Sequence, residues 1–130
     1  MSDRAAIDRL LDDARAALAG RVEPEDLAAE LAEGALVVDI RPEANRTQEG
    51  ALPGALVIER IHLEWRLDPT SPHRVEEATP GRRVIVVCNE GYASSLAAAT
   101  LRQLGVDGAT DLVGGYRAWR EAQGTGALPT

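Results

Sequence analysis

Cys88 is the only cysteine in the chain, with Gly91 three residues on and Ser94 six residues on, in the stretch VIVVCNEGYASSLAAATLRQLG. A thiol does chemistry as thiolate, which is both the nucleophile and the form that accepts sulfur. A lone cysteine after an apolar run is by default a small buried hydrophobe. The context argues otherwise. Cys88 closes an apolar run that reads as a strand, and open α/β sheets place their ligand crevices at the carboxyl ends of strands. NEGYAS is short enough to curl before a helix that starts near Ser94 or Ser95, and Gly91 permits a positive φ. Successive N–H groups can then point to one centre, joined by the unpaired N–H groups and positive end of the helix. Such a cup favours thiolate, persulfide or an incoming oxyanion, with a thiol pKa below the ordinary ~8.5.

That cup needs elements to hold it. Ile7, Leu10, Leu11, Ala14 and Leu18 recur at helical spacing and predict an amphipathic helix ending near Gly20. PEDLAAELAEG (24–34) predicts a second helix, with Pro24 at its start and Gly34 at its stop. ALVVDI (35–40), GALVIE (54–59), RRVIVVC (82–88) and GATDLVGG (108–115) predict strands, and 94–104 and 115–123 predict helices between and after them. Continuously apolar strands alternating with helices indicate an α/β fold, with a central parallel sheet and helices on both faces. Residues 60–81, interrupted by Pro69, Pro72 and Pro80, read as a long irregular connection. The expected organisation is a helix over 1–20 packed on a domain over 21–124, then a tail at 125–130.

The bulk properties narrow the function. The chain has 130 residues, 45% hydrophobic, with no Phe, so a single core is built mainly from Leu, Val, Ile and Ala. The formal net charge of −7 argues against nonspecific binding to nucleic acid or anionic lipid. One cysteine makes no internal disulfide, and the charged N-terminus lacks a signal-peptide apolar region, so the expected compartment is cytoplasmic. No apolar run approaches the ~18 residues of a membrane span. His62 and His73 with one Cys form no metal-ligand set.

Three ordered signatures carry a family resemblance. LVVDIRPEANRTQEGALPGA holds Asp-x-Arg after a strand and then Gly-x-x-Pro-Gly-Ala. VIVVCNEGYASS holds Cys-x-x-Gly-x-x-Ser, and ATDLVGGYRAW holds a strand, a Gly-Gly pair and a helix with Trp. With the helix EPEDLAAEL they cover about residues 22–121 and resemble the single-domain rhodanese, or thiosulfate sulfurtransferase, family. The resemblance implies a rhodanese-like fold, no cofactor and no metal. It also implies covalent sulfur transfer through a Cys88 persulfide, from thiosulfate or a persulfide donor to a thiophilic acceptor, including an acceptor protein thiol. The loop Asn89, Glu90, Gly91, Tyr92, Ala93 and Ser94 would bind the donor, Asn89 mainly through its N–H.

Two positions depart from the family pattern. Many members carry Arg where this chain has Ala93, and the loop contains an acid, Glu90, expected to face solvent. Ala51 replaces a histidine of the first signature, a change of scaffold. These departures favour a persulfide or a partner protein over thiosulfate as donor. Arg66 is the candidate to replace the missing cation. Arg41 is a second candidate, although a structural pairing with Asp39 or with a loop carbonyl is the favoured reading. Trp65 is expected to pin the 60–81 connection, Tyr92 to border the pocket mouth, Trp119 to be core, and Gly114 with Gly115 to form a turn that side chains would obstruct. Two other functions compete. One is a catalytically silent binding module. The other is a cysteine phosphatase or arsenate reductase, which by resemblance needs Arg six residues after the Cys, where this chain has Ser94. The Ala-, Arg- and Gly-rich composition suggests a bacterial source.

Overall fold

The computed structural model describes residues 4–18 and 20–125. Four short strands, β1 (Leu36–Asp39), β2 (Leu56–Val57), β3 (Val84–Val87) and β4 (Ala109–Asp111), form one sheet in the order β2-β1-β3-β4. Every pairing is parallel, with Val38 opposite Leu56 and Val86, and Val86 opposite Asp111. The predicted strands exist but are shorter: only two residues of 54–59 and four of 108–115 pair, the fourth, Leu112, through a single bridge to Val22. The rhodanese-like α/β architecture expected from the signatures is the one observed.

Side chains alternate across the sheet with the two-residue period of a strand. Leu36, Val38, Val84 and Val86 pack on one face with Leu63, Leu67, Ala97, Ala98 and Leu101. Val37, Ile85 and Val87 pack on the other with Leu27, Leu112 and Tyr116. The helices on the first face are α4 (Leu63–Leu67) and α5 (Ala93–Gln103); those on the second are α2 (Leu27–Ala32) and α6 (Gly115–Thr125). A short 3-10 turn, Pro24–Asp26, leads into α2. Trp119 is partly buried against the second core and its ring lies 5.7 Å from that of Tyr116.

Helix α1 (Ala6–Ala16) ends one turn before Gly20 and packs along α5. Its inner side is Ala14 and, just beyond its end, Leu18; Ile7 and Leu10 stay exposed. Of the expected tail at 125–130, Thr125 still belongs to α6, and 126–130 lie outside the described residues.

Two elements correct the sequence reading. Helix α3 (Glu43–Glu49) follows Pro42 and stops at Gly50, in a segment with no apolar periodicity and no buried side chain. The 60–81 connection is not irregular throughout. A 3-10 turn over Arg60–His62 runs into α4, whose Leu63 and Leu67, one turn apart, are fully buried. Those two leucines pin the connection. Trp65, expected to do so, points outward and is 60% exposed.

Candidate active site

Strand β3, an inner strand, delivers Cys88 to the carboxyl end of the sheet, where the chain turns before entering α5. The thiol is buried, and the turn wraps around it. Gly91 N–H donates to Sγ at 3.1 Å and Ser94 N–H at 3.3 Å, while Sγ donates to Ser94 Oγ at 3.2 Å. These amides converge because Gly91 takes φ +89°, a conformation that side-chain-bearing residues rarely adopt. A Cβ on Gly91 would also lie 2.6 Å from Gly114 N.

The start of α6 closes the loop from behind. Tyr116 N–H donates to the Cys88 carbonyl at 2.8 Å and Arg117 N–H to the Asn89 carbonyl at 3.1 Å. That approach needs glycine at 115, where a Cβ would meet the Cys88 carbonyl at 2.5 Å. The Gly-Gly turn is therefore the back wall of the cysteine loop.

This cysteine loop, at the carboxyl end of a parallel strand and backed by a Gly-Gly turn, sits inside the segment 23–122 that matches the rhodanese-like domain. The chain belongs to that family. It is 34% identical over 86 residues to the thiosulfate sulfurtransferase GlpE of Shewanella oneidensis, covering 66% of this chain and 76% of the relative. It is 33% identical over 92 residues to the adenylyltransferase and sulfurtransferase MOCS3 of Arabidopsis thaliana, covering 65% of this chain. The chain spans about a fifth of that protein's length. Among solved structures, the human single-domain sulfurtransferase TSTD1 superposes with TM-score 0.67 at 30% identity, over 79% of this chain and 96% of that one. A Rhodopseudomonas palustris protein of unknown function, described as a possible tyrosine phosphatase, superposes with TM-score 0.80 at 28% identity over 94% of both chains.

In this rhodanese-like domain a pocket of about 380 Å³ opens over Cys88. Ile40, Arg41 and Pro42 from the end of β1 form one wall, Arg60 another, and Cys88, Asn89, Glu90, Tyr92 and Ala93 the floor and rim. Tyr92 stands at the mouth, 60% exposed. A smaller hollow of about 210 Å³ continues past Ile40, Pro42 and Arg60 to Glu59 and Ile61.

The other expected site residues are placed as follows. Asn89 works through its side chain: Nδ2 donates to Glu49 Oε2 at 3.0 Å, and the amides on sulfur come from Gly91 and Ser94 instead. Glu90 borders the pocket but is turned outward onto Arg117, Nη1 to Oε2 3.0 Å. Arg41 is wholly buried. It donates to both Asp39 carboxylate oxygens, at 3.1 and 2.8 Å, and to the Gly50 carbonyl at 2.9 Å, with its guanidinium 3.9 Å over the Tyr116 ring. Its charge is committed to the scaffold, joining the end of β1 to the loop after α3.

Arg66 is not at the site. It is exposed and donates to the His73 carbonyl at 2.9 Å, because the helical turn of α4 carries it away from the pocket. Arg60 borders the pocket instead, and both oxygens of Glu64 hold it at 2.9 Å. Sequence reasoning missed Arg60 by treating the connection as a loop. It also missed Asp111, a fully buried carboxylate that accepts the hydroxyls of Ser94 and Ser95, each at 2.7 Å. The available signal was an acid at the end of β4, directly before the apolar pair Leu112–Val113.

Next to the loop, Glu49 gathers Arg117, Asn89 and Asn45. Hydrogen bonds from Arg117 first, then Asn89, lower its carboxyl from 4.5 to about 2.

Proposed function

We propose that this rhodanese-like domain is a sulfurtransferase in which Cys88 is the nucleophile and carries the transferred sulfur as a persulfide. In the first half, the Cys88 thiolate attacks the outer sulfur of the donor. The new Sγ–S bond forms as the donor S–S bond breaks, and the donor leaves as sulfite from thiosulfate or as a thiolate from a persulfide. In the second half, a thiophilic acceptor takes the outer sulfur and Sγ returns as thiolate. Electrons balance across the two halves, so no external oxidant or reductant enters.

The observation that carries this reading is the pair of amides from Gly91 and Ser94 aimed at Sγ, at 3.1 and 3.3 Å. Donors fixed in place stabilise charge on sulfur without reorganising during the reaction. The pocket qualifies the donor. Ala93 brings no cation to its rim, and Arg60 is neutralised by Glu64. A singly charged persulfide therefore suits this pocket better than the thiosulfate dianion, and an acceptor protein thiol can reach the wide mouth at Tyr92. Phosphate ester chemistry is disfavoured, because position 94 offers a serine hydroxyl held by Asp111 where that reaction needs a guanidinium.

Intact-mass measurement after incubation with thiosulfate or with a low-molecular-weight persulfide tests the reading. The expected result is a gain of one sulfur atom on Cys88, lost on adding cyanide or a thiol. Failure of both donors to load Cys88 would leave the fold as a binding module.

A further inference from the structure

Two arginines ahead of the matched family segment, Arg15 on α1 and Arg21 after it, converge on the back of the cysteine loop. Both donate to the Gly91 carbonyl, Arg15 Nη2 at 2.7 Å and Arg21 Nη2 at 3.2 Å. Gly91 is the residue whose N–H points at Sγ, so its carbonyl is held from behind while its amide faces the sulfur. Arg15 Nε also donates to Ser95 Oγ at 3.0 Å, and its guanidinium lies 5.5 Å from the centre of the Tyr92 ring.

Arg21 takes the second route to the sulfur. It grips Asp111 with two bonds, Nε to Oδ1 at 2.8 Å and Nη2 to Oδ2 at 3.2 Å. Asp111 Oδ2 in turn accepts the hydroxyl of Ser94, whose N–H is the other donor on Sγ. Each amide on the sulfur is thus tied to an arginine within one or two hydrogen bonds. The charge balance at the loop is also lopsided, since two guanidiniums meet the one carboxylate of Asp111, while Asp12, also within Coulombic reach of Arg15, is exposed and paired with Arg4. The surplus positive charge lies behind the atom that becomes anionic as thiolate and as persulfide, in a setting where charges are weakly screened.

We infer that Arg15 and Arg21 are positioning residues of the sulfur site: from outside the family segment and from behind the loop, they supply the positive charge that Ala93 does not bring to its rim. The inference rests on the sulfurtransferase reading for its purpose and not for its test. It makes α1 part of the reactive machinery, although no residue of α1 lines the pocket over Cys88.

The experiment compares Cys88 alkylation by iodoacetate, an anion, with that by iodoacetamide, a neutral reagent of similar size, in the full chain. Arg15→Gln should lower the iodoacetate-to-iodoacetamide rate ratio about threefold or more, the scale of a local field acting on a charged reagent. Arg15→Lys should hold the ratio near the parent value, because the charge remains. Arg21→Lys keeps a cation on Asp111 and serves as a second variant should Arg15→Gln not fold. It should slow both reagents, since the forked hold on Asp111 and the bond to the Gly91 carbonyl are lost while the charge stays. A merely structural role for Arg15 would slow both reagents equally and leave the ratio unchanged in Arg15→Gln. That result, or parent-like rates for both reagents in Arg21→Lys, overturns the inference. Sulfur loading is scored separately. A parent protein that alkylates readily yet accepts sulfur from neither donor removes the sulfurtransferase reading and leaves the ratio test standing.

Discussion

The two sides of the cysteine loop are built from opposite materials. Behind it, Arg15, Arg21 and Asp111 form a connected polar layer; at the β1 wall of the pocket, Arg41 is likewise committed to the scaffold through Asp39. In front, the pocket rim is Ile40, Pro42, Tyr92 and Ala93, with the one bordering cation of the 60–62 turn held by Glu64. The same residue type, arginine, does different work in the two places. Buried and fork-bonded, it fixes backbone and counters a carboxylate. At the rim, it would bind a free anion only if unpaired. The lesson is that this site invests its positive charge in shaping the loop rather than in gripping the donor.

The harshest way to break the comparison is to remove the atom both sides surround. Cys88→Ser should abolish sulfur transfer, because a hydroxyl held by the same two amides is a far weaker nucleophile than a thiolate. Thiosulfate:cyanide transfer and persulfide loading measure the loss, and far-UV circular dichroism should be unchanged, since serine fills nearly the same space. Substantial residual transfer would mean that the sulfur acceptor lies elsewhere.

Breaking the holding side comes next. Arg41→Ala leaves Asp39, 1% exposed, without its partner and opens the tie to the Gly50 carbonyl. Removing one member of a buried pair costs about 3–5 kcal/mol, because the remaining charge stays buried and unpaired. Chemical denaturation should show a drop of that order. A cost under about 1 kcal/mol, the range of a surface pair, would mean that water reaches Asp39 and that this wall of the pocket is wetter than its packing indicates.

These two sides were unequally legible in the sequence. Strand-forming runs such as VIVV announce themselves by composition, and the Cys88–Gly91–Ser94 spacing lies within seven residues, so the loop could be read locally. Helix α3, EANRTQE, has no apolar residue except Ala44 and so no periodic stripe to detect. Helix α4 hid just ahead of the prolines at 69, 72 and 80, although the Leu63–Leu67 pair one turn apart was its signal. The layer behind the loop was illegible for a different reason. Arg15 and Arg21 meet Gly91 across 76 and 70 residues of chain, and no local pattern says which distant helix will cover a given turn. Arg60 carries no local signal of its own: only the direction set by the helical turn places it, and not Arg66, at the pocket.

The front of the site is sharpened by adding what it lacks. Ala93→Arg would place a guanidinium on the pocket rim at the first residue of α5. A charge-assisted hydrogen bond contributes about 1.5–3 kcal/mol and side-chain ordering removes part of that, so KM for thiosulfate should fall by up to roughly tenfold with little change in kcat. Arg66→Ala, outside the pocket, should leave both constants alone. Improved kcat with unchanged KM in Ala93→Arg would show that position 93 acts on the loop and not on the donor. That result would erase the contrast between the two sides.

The smallest effect is expected where the two sides meet. Glu49 ties Asn89 of the loop to Arg117 of α6, and its carboxyl is lowered from 4.5 to about 2 by those bonds. A carboxyl depressed by folding adds stability that is fully present above its unfolded value of 4.5. That contribution is lost as pH falls from there through about 2, where the folded protein also takes up the proton. The group is partly exposed and its partner Arg117 more so, which makes the contribution modest and sensitive to salt. Glu49→Gln keeps an acceptor for Arg117 and Asn89 but cannot titrate. The thermal midpoint of the parent should therefore exceed that of the variant at pH 7, and the gap should close as pH falls through this window. Other depressed acids, such as Glu30 beside Arg83, remain in both proteins and cancel in the difference. A gap that stays constant down to pH 2 would show that Glu49 holds the loop by packing and hydrogen bonding alone, and that its charge adds nothing to the joint between the two sides.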